Sequence, residues 1–83
     1  MEYRRLQEVK KKTVGTKQTL KAVERGEPKI VYVAEDAETR VVEPIIKVCQ
    51  EKGIPVVRVP SMRELGSACG IKVGCASAAV IEK

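Results

Sequence analysis

The sequence predicts an α/β fold, a three-layer α/β/α sandwich with a four-stranded mixed sheet. Helical and strand patterns alternate in the order α-β-α-β-α-β-α-β, and such alternation places helices on both faces of one sheet. A length of 83 residues predicts a single domain over residues 1–83. The chain has two Tyr, no Phe and no Trp, so we expect thin layers packed from Val, Ile, Leu and Ala.

The first predicted element is a short amphipathic helix over residues 4–12. Leu6 and Val9 lie three positions apart and share one helix face, and the three lysines that follow close the pattern. Residues 13–15 interrupt this periodicity, and we expect them to form a short edge strand.

The second predicted helix begins near Thr16. Threonine is a common N-terminal cap, and Gly15 before it permits an unusual backbone turn. Leu20 and Val23 provide the apolar face of this helix, and Gly26 ends it.

The middle of the chain predicts a buried strand followed by a longer helix. Residues 30–34 are apolar and mostly β-branched, which suits a strand buried on both faces. An acidic loop leads to a helix over residues 40–52, which Gly53 caps. Pro44 fits only in the first turn of a helix, so this helix begins as late as Glu43 in one interpretation. Four apolar residues are expected to face inward: Val42, Ile45, Ile46 and Cys49.

The last part of the chain predicts strand, helix and strand. Residues 55–59 form the first strand. Ser61 and Glu64 match the capping-box pattern that opens a helix, and Gly70 ends that helix. After a loop, residues 78–81 form the final strand.

The excess of positive charge lies in the first third of the chain. Residues 1–29 contain nine Lys or Arg and four Asp or Glu, whereas residues 30–83 contain seven of each. A segregated excess of this kind indicates a basic face for a polyanion such as RNA. The alternative is a solvated helix face that only aids solubility.

The cysteines and the hydropathy pattern bear on the cellular compartment. Cys49, Cys69 and Cys75 are odd in number and form no Cys-x-x-Cys pair. We therefore expect three reduced, mostly buried thiols in a cytoplasmic protein. The alternative is a reactive thiol at Cys69 or Cys75. No run of about 18 apolar residues occurs, and the start does not resemble a secretory signal, so no membrane contact is expected.

Catalysis has little support in the sequence. The chain has no His, the commonest general base and metal ligand, and it lacks the nucleophile-elbow and phosphate-binding glycine motifs. We therefore expect no enzyme activity, no cofactor and no small-molecule substrate. Glu35, Asp36 and Glu38 form a carboxylate cluster for which Mg²⁺ is one hypothesis; a loop that supplies a helix cap is the more ordinary interpretation.

The segment from residue 15 to residue 21 is the best candidate for nucleic-acid binding. A helix N-terminus attracts phosphate, so Gly15 and Thr16 are candidate phosphate contacts. Lys17 and Lys21 share one helix face, Gln18 flanks them, and all three side chains suit guanine edges. The alternative is an ordinary polar face of a surface helix. With so few aromatic residues, base stacking on a sheet is not expected.

Four blocks in this sequence resemble the kink-turn-binding ribosomal protein family of the large subunit (L-seven-Ae, in the L-thirty-e superfamily), and its short bacterial members above all. The resemblance spans essentially the whole chain and implies an α/β/α sandwich that binds RNA. Kink-turns are internal loops in which tandem G·A pairs follow a bulge and bend the helix. The blocks are residues 15–23, 33–37, 49–55 and 65–71.

The resemblance also implies roles for particular residues. The family typically places Asn, Glu and Lys against the guanines of the G·A pairs, and Lys17, Gln18 and Lys21 hold those positions here. The family carboxylate is thus replaced by an amide, as in the short bacterial members. A second contact loop, usually with Ser-Arg-Pro, lacks the Arg. The residues implied on the bulge side are Glu38, Val42, Ile71, Lys72, Val73 and Gly74.

The function implied is therefore non-catalytic binding and stabilisation of a kink-turn by a monomeric, cytoplasmic protein. The RNA would be ribosomal RNA, with a role in translation, or a regulatory RNA. Two alternatives stay open at this point. One is an RNA-recognition partner subunit of an RNA-modifying enzyme, and the other is a protein-interaction module of the same fold.

Overall fold

The computed structural model describes residues 3–82, and in this range helices and strands alternate as predicted. The elements are a 3-10 helix (Tyr3–Glu8), β1 (Lys11–Val14), α1 (Thr16–Glu24), β2 (Ile30–Ala34), α2 (Thr39–Lys52), β3 (Val56–Val59), α3 (Met62–Cys69) and β4 (Ser77–Glu82).

The four strands form one mixed sheet in the order β1-β4-β2-β3. Strand β4 is antiparallel to both β1 and β2, whereas β2 and β3 are parallel. As a result, β1, β2 and β3 all end where β4 begins. Helices α1, α2 and α3 each start after one of those three strands, so their N-termini lie at that same end. We call it the helix-start end of the sheet.

Each face of the sheet is covered by its own apolar cluster, which confirms the α/β/α layers. Successive residues of β2 alternate between the clusters, because side chains of a strand point to opposite faces. The first cluster packs the 3-10 helix and α3 on the sheet and includes Leu6, Val9, Tyr32, Ala34, Val59, Leu65, Ala68, Cys69, Cys75, Ala78 and Val80. The second packs α1 and α2 and includes Val23, Val31, Val33, Val42, Ile45, Cys49 and Ala79.

The helix predicted over residues 4–12 is wrong in type and length. The chain forms a 3-10 helix that ends at Glu8, and residues from Lys11 onward pair with β4 instead. Leu6 and Val9 are buried as expected, and the Val9 amide donates to the Leu6 carbonyl at 3.1 Å. Two apolar residues three positions apart are equally compatible with a 3-10 turn, and strand pairing with β4 decides the rest.

Helix α2 confirms the helix predicted over residues 40–52, and only the alternative start at Glu43, which Pro44 suggested, is wrong. It starts at Thr39, so Pro44 lies inside the helix. Proline removes the amide that would bond to the carbonyl of Arg40, four positions earlier. Both residues are exposed, so water can replace the missing donor. The predicted glycine caps at Gly53 and Gly70 are confirmed in the left-handed conformation.

The three cysteines are free and buried, as predicted. Across residues 3–82, no helix has the length and apolar character needed to cross a bilayer.

Candidate nucleic-acid interface

Helix α1 begins after a glycine at the helix-start end. Gly15 has φ 100° and ψ 153°, a conformation essentially restricted to glycine. Its amide donates to the Ser77 carbonyl at 2.9 Å, and its carbonyl accepts from the Thr19 amide at 3.0 Å. Gly15 itself is the N-cap, so the prediction that Thr16 caps the helix is wrong. Within the described part of the chain no side chain caps α1, which leaves the amides of its first turn to solvent or a ligand.

The outer side of α1 carries the three side chains that the sequence predicts to contact RNA. Lys17, Gln18 and Lys21 are all exposed. Lys17 and Lys21 are one helical turn apart and therefore lie on the same side. The inner side is buried through Thr19, Ala22 and Val23. Packing on one side thus presents the three polar side chains on a fixed backbone.

A small cluster of polar side chains attaches the start of α1 to the sheet. Thr19 is fully buried, and its Oγ1 lies 2.9 Å from Thr13 Oγ1 in β1. Ser77, also fully buried, donates from Oγ to Thr16 Oγ1 at 3.5 Å. These contacts tie α1 to both β1 and β4. Burial of Thr19 and Ser77 was not predicted, because a polar residue in a helix or strand pattern is ordinarily expected at the surface.

The acidic loop between β2 and α2 has two different roles. Asp36 Oδ1 accepts from the Met62 amide at 2.7 Å, so the predicted cap exists but serves α3. Glu38 has no capping bond to α2; its carboxylate pairs with Arg40 at 2.9 Å and the side chain is 66% exposed. Among the described residues, no group of three acidic or thiol side chains is placed to hold a metal ion.

The loop after α3 lies directly on that helix. A Cβ at Gly66 would overlap the Val73 carbonyl oxygen, so only glycine allows this approach. The Ile71 amide donates to the Gly66 carbonyl at 3.0 Å, and the Cys75 amide donates to the Met62 carbonyl at 2.9 Å. Val73 is left 70% exposed. The loop therefore exposes the apolar Val73 side chain, while its backbone is hydrogen-bonded to α3 before and after this residue.

The remaining loop residues differ in exposure. Lys72 and Gly74 are exposed, whereas Ile71 is half-buried and packs against the first core cluster. A Cβ at Gly74 would come to 3.3 Å from the Met62 Cβ, which brings the loop close to the start of α3. Lys72 is thus the charged group that this loop offers to solvent.

Val42 occupies a different environment from the other candidate residues. It is 6% exposed and belongs to the second core cluster. Its side chain also lines an open groove of ≈ 520 Å³, together with Glu43, Lys47 and Arg58. This groove is a route by which a ligand can reach Val42.

The candidate contact regions converge on the helix-start end. The Ser77 carbonyl joins the start of β4 to Gly15. The start of α3 is hydrogen-bonded to the other two regions. The Met62 amide donates to Asp36 in the acidic loop, and the Met62 carbonyl accepts from the Cys75 amide, just after the loop over residues 71–74. The segment around α1, the acidic loop and the loop over residues 71–74 are therefore neighbours, although up to about 60 positions separate them in the chain.

Two thiols lie directly under this surface. Cys69 and Cys75 both belong to the first core cluster, and the Cys75 thiol donates to the Ser77 carbonyl at 2.9 Å. The Cys69 thiol and the Gly15 amide lower the pKa of Cys75 to about 6, although burial opposes this. The Cys75 side chain and burial raise the pKa of Cys69.

The chain is similar in sequence to known proteins over almost its whole length. The family model described as "Ribosomal protein L7Ae/L30e/S12e/Gadd45 family" matches residues 2–83. An RNA-binding protein of Caldanaerobacter subterraneus is 54% identical over 69 residues, which is 83% of this chain and 84% of that protein. The RNA-binding protein YbxF of Geobacillus stearothermophilus is 41% identical over 81 residues, 98% of this chain and 99% of its own.

Solved structures agree with the layer order. A 15.5 kD RNA-binding protein of Giardia lamblia superposes with a TM-score of 0.80 at 27% identity, over 98% of this chain and 68% of that one. A protein of unknown function from Bacillus halodurans gives a TM-score of 0.84 at 24% identity, over 98% and 85% of the two chains. The second match concerns the fold alone.

Proposed function

Because this chain belongs to the ribosomal protein L7Ae/L30e/S12e/Gadd45 family, we propose that it is a non-catalytic RNA-binding protein that recognises kink-turn RNA. The observation that carries this proposal is the convergence of three candidate contact regions at the helix-start end, beside a helix with no side-chain cap. Relatives that cover nearly the whole chain are named as RNA-binding proteins, which supports RNA as the ligand.

Helix α1 would read the tandem G·A pairs. Lys17 and Lys21 donate to guanine O6 or N7, and Gln18 donates and accepts at a base edge. Gly15 and Thr16 would meet a phosphate, because the first-turn amides carry the positive end of the helix dipole. Each well-aligned base contact is worth ~1–3 kcal/mol of discrimination.

The other regions would meet the bulge side of the RNA. Lys72 offers a charge from the loop after α3, and Val73 offers an apolar surface for a base or a sugar. Glu38 precedes α2 at the same end of the sheet, and Val42 would be reached through the groove. Ile71 and Gly74 would act through the shape of the loop that they help to form.

The proposed mechanism is selection of the bent RNA. An RNA that exchanges between extended and kinked forms shifts toward the form that the protein binds more tightly. The surface at the helix-start end is held by hydrogen bonds between elements distant in sequence, so it is largely pre-formed for one RNA shape. We propose that the protein acts as a monomer on ribosomal or regulatory RNA.

Specificity is expected to be softer than in relatives with a carboxylate at the position of Gln18. An amide oxygen accepts from guanine N–H groups without the extra attraction of a charge. Val73 likewise gives no hydrogen bond where the family pattern has Arg. Shape and phosphate contacts should therefore contribute a larger share of the affinity.

A gel-shift titration with three RNAs tests this proposal. The RNAs are a kink-turn, the same RNA with its G·A pairs replaced by Watson–Crick pairs, and a plain duplex of equal length. We expect tight binding of the first and at least tenfold weaker binding of the others, a difference of ~1.4 kcal/mol. Equal affinity for all three would leave only a generic basic protein.

A further inference from the structure

Helix α1 is attached to the rest of the molecule by two kinds of contact. Its second half is held by apolar packing: Val23 is fully buried in the second core cluster, Leu20 packs against that cluster, and Ala22 is buried. Residues 16–19 contain no hydrocarbon side chain, and the fully buried residue among them is Thr19. The first turn of α1 is therefore attached to the sheet by polar contacts.

The buried hydroxyl of Thr19 is paired with a hydroxyl of the sheet. Its Oγ1 lies 2.9 Å from Thr13 Oγ1, and Thr13 is paired with Ala79 across β1 and β4. Within the described part of the chain, no buried side-chain oxygen or nitrogen lacks a hydrogen-bond partner, and for Thr19 that partner is the Thr13 hydroxyl. A hydrogen bond has a preferred length and direction, so this pair constrains the distance and the rotation of α1 relative to β1.

The backbone at the start of α1 supplies a second point of attachment. The Gly15 amide donates to the Ser77 carbonyl of β4 at 2.9 Å, and the Gly15 carbonyl accepts from the Thr19 amide at 3.0 Å. Gly15 is thus held by β4, and Thr19 is held by β1. Lys17 and Gln18 lie between these two points of attachment, so their backbone is fixed from both sides.

The hydroxyl pair spans the connection between β1 and α1. Strand β1 ends at Val14 and α1 begins at Thr16, so Gly15 alone joins them. Glycine restricts its backbone dihedrals less than any other residue, and the chain connection by itself therefore leaves the angle between the two elements free to vary. The bond between Thr13 and Thr19 closes this connection and removes that freedom.

We propose that Thr13 and Thr19 are positioning residues for RNA recognition, because their hydroxyl pair holds the first turn of α1 at the angle at which Lys17 and Gln18 meet the G·A pairs. Thr19 is fully buried and Thr13 is half-buried, so the pair acts through α1 and not by contact of Thr19 with RNA. The effect on RNA binding rests on the proposed function, whereas the orientation of α1 is a property of the protein alone.

A merely structural role for the pair predicts a different pattern of variants. Valine has nearly the shape of threonine but no hydroxyl. Replacement of both partners of a buried hydrogen bond by apolar groups of the same shape is nearly neutral for stability, whereas removal of one partner leaves the other unsatisfied and costs stability. The double variant Thr13→Val/Thr19→Val therefore keeps the packing and removes only the directional bond.

The test compares this double variant with three single variants of the full chain. Thr19→Val removes one partner, and Thr19→Ser keeps the hydroxyl and should rescue binding. Ser61→Ala removes the cap of α3 and is the control for lost stability. Thermal melts measure stability, and gel shifts measure affinity for a kink-turn, its Watson–Crick counterpart and a plain duplex. Residual dipolar couplings of amides, recorded without RNA, report the orientation of the first turn of α1 relative to the sheet.

We expect the double variant to melt within about 2 °C of the wild type, whereas Thr19→Val alone melts roughly 5 °C lower. Kink-turn affinity of the double variant should fall roughly fivefold, the lower limit for loss of one well-aligned base contact. Affinity for the plain duplex should not change, because every charge that attracts phosphate is kept. The dipolar couplings should change in the first turn of α1 and stay the same in α2.

Wild-type kink-turn affinity in the double variant overturns the proposal, and so does an equal loss of affinity for all three RNAs. A comparable loss in Ser61→Ala would assign the effect to stability and overturn it as well. If the double variant does not fold, the expected neutrality is wrong, and Thr13→Val, at a half-buried position, decides the affinity by the same criteria. If the wild type fails to prefer a kink-turn, the proposed function is wrong, and the dipolar couplings still decide whether the hydroxyl pair orients α1.

Discussion

Helices α1 and α3 start at the same end of the sheet, yet their first turns are built in opposite ways. In α3, Ser61 Oγ accepts from the Glu64 amide at 3.1 Å, and Asp36 from the neighbouring loop accepts from the Met62 amide at 2.7 Å. In α1, Gly15 has no side chain, and no acidic residue stands in the first turn. First-turn amides of α3 have side-chain acceptors within the protein. Among the described residues, no side chain accepts from the first-turn amides of α1.

The difference separates a helix start that is capped for stability from one that we propose to bind RNA. A side-chain cap contributes ~1 kcal/mol to stability, within a range of about 0.5–2 kcal/mol. Helix α1 forgoes this contribution and instead offers free amides and the positive end of its dipole, next to the exposed Lys17 and Lys21. Stability at this start comes from burial of Thr19 and its bond to Thr13.

The strongest test of the contrast is Gly15→Ala. A Cβ at Gly15 would meet nothing within 4 Å among the described residues, so the cost is backbone strain alone. We expect a loss of ~1–3 kcal/mol in the free energy of unfolding, because alanine disfavours this conformation. Affinity for a kink-turn should also fall. Urea denaturation and gel shifts measure the two effects.

Gly53→Ala is the matched control for this substitution. Gly53 also has a positive φ, of 70°, and its Cβ would likewise meet nothing within 4 Å in the described part of the chain, but it ends α2, away from the helix-start end. It should lose stability and keep its RNA affinity. Loss of affinity in both variants would attribute the Gly15 effect to stability alone.

The opposite prediction applies to Ser61→Ala in α3. Removal of this cap should lower the free energy of unfolding by ~1 kcal/mol and leave RNA affinity nearly unchanged. Thr16→Ala in α1 should cost less stability, because Thr16 is not the cap and its bond to Ser77 is 3.5 Å long. Thermal melts of the two variants check the order, and a larger loss for Thr16→Ala would contradict the assignment of open and closed helix starts.

Gln18→Ala sharpens the comparison at the level of base recognition. The variant should lose roughly fivefold in discrimination between a kink-turn and its Watson–Crick counterpart, near the lower limit for a base contact, because the amide is uncharged. Glu51→Ala, a change at an exposed position near the end of α2, should not alter discrimination. An unchanged ratio in Gln18→Ala would show that this side chain does not read the G·A pairs.

The smallest expected effect is that of Lys10→Ala. Lys10 is exposed just before β1 and would contribute only non-specific attraction to phosphate. Its loss should weaken binding to all three RNAs equally and reduce the slope of log affinity against log salt by about one. Lys52→Ala, at the far end of α2, should leave the slope unchanged. A selective effect of Lys10→Ala on the kink-turn would extend the specific site to this residue.

Local signals in the sequence predicted most of the fold. The strand over residues 30–34 and the caps at Ser61, Gly53 and Gly70 were correct, because each depends on neighbouring residues. The first helix was wrong, since residues from Lys11 onward are fixed by pairing with β4, nearly 70 positions away. No local pattern reports such a partner.

The same distinction applies to the site. The exposure of Lys17, Gln18 and Lys21 on the outer side of α1 follows from helical spacing and was predictable. The cap from Asp36 to Met62 and the contact of Gly66 with Val73 join residues from separate elements, so they emerge only when the sheet order is known. The bond from the Gly15 amide to the Ser77 carbonyl is of the same kind.

Strand β1 is an outer strand of the sheet, and its sequence has a consequence for solubility. An outer strand presents unpaired amides and carbonyls that invite a strand from another molecule. Here the register of β1 shifts between Lys11 and Lys12, and such a bulge together with charged side chains discourages intermolecular pairing. Positive charge on this segment therefore protects the protein from aggregation as well as attracting a polyanion, so neutralising all of these lysines should impair solubility even where RNA binding is not required.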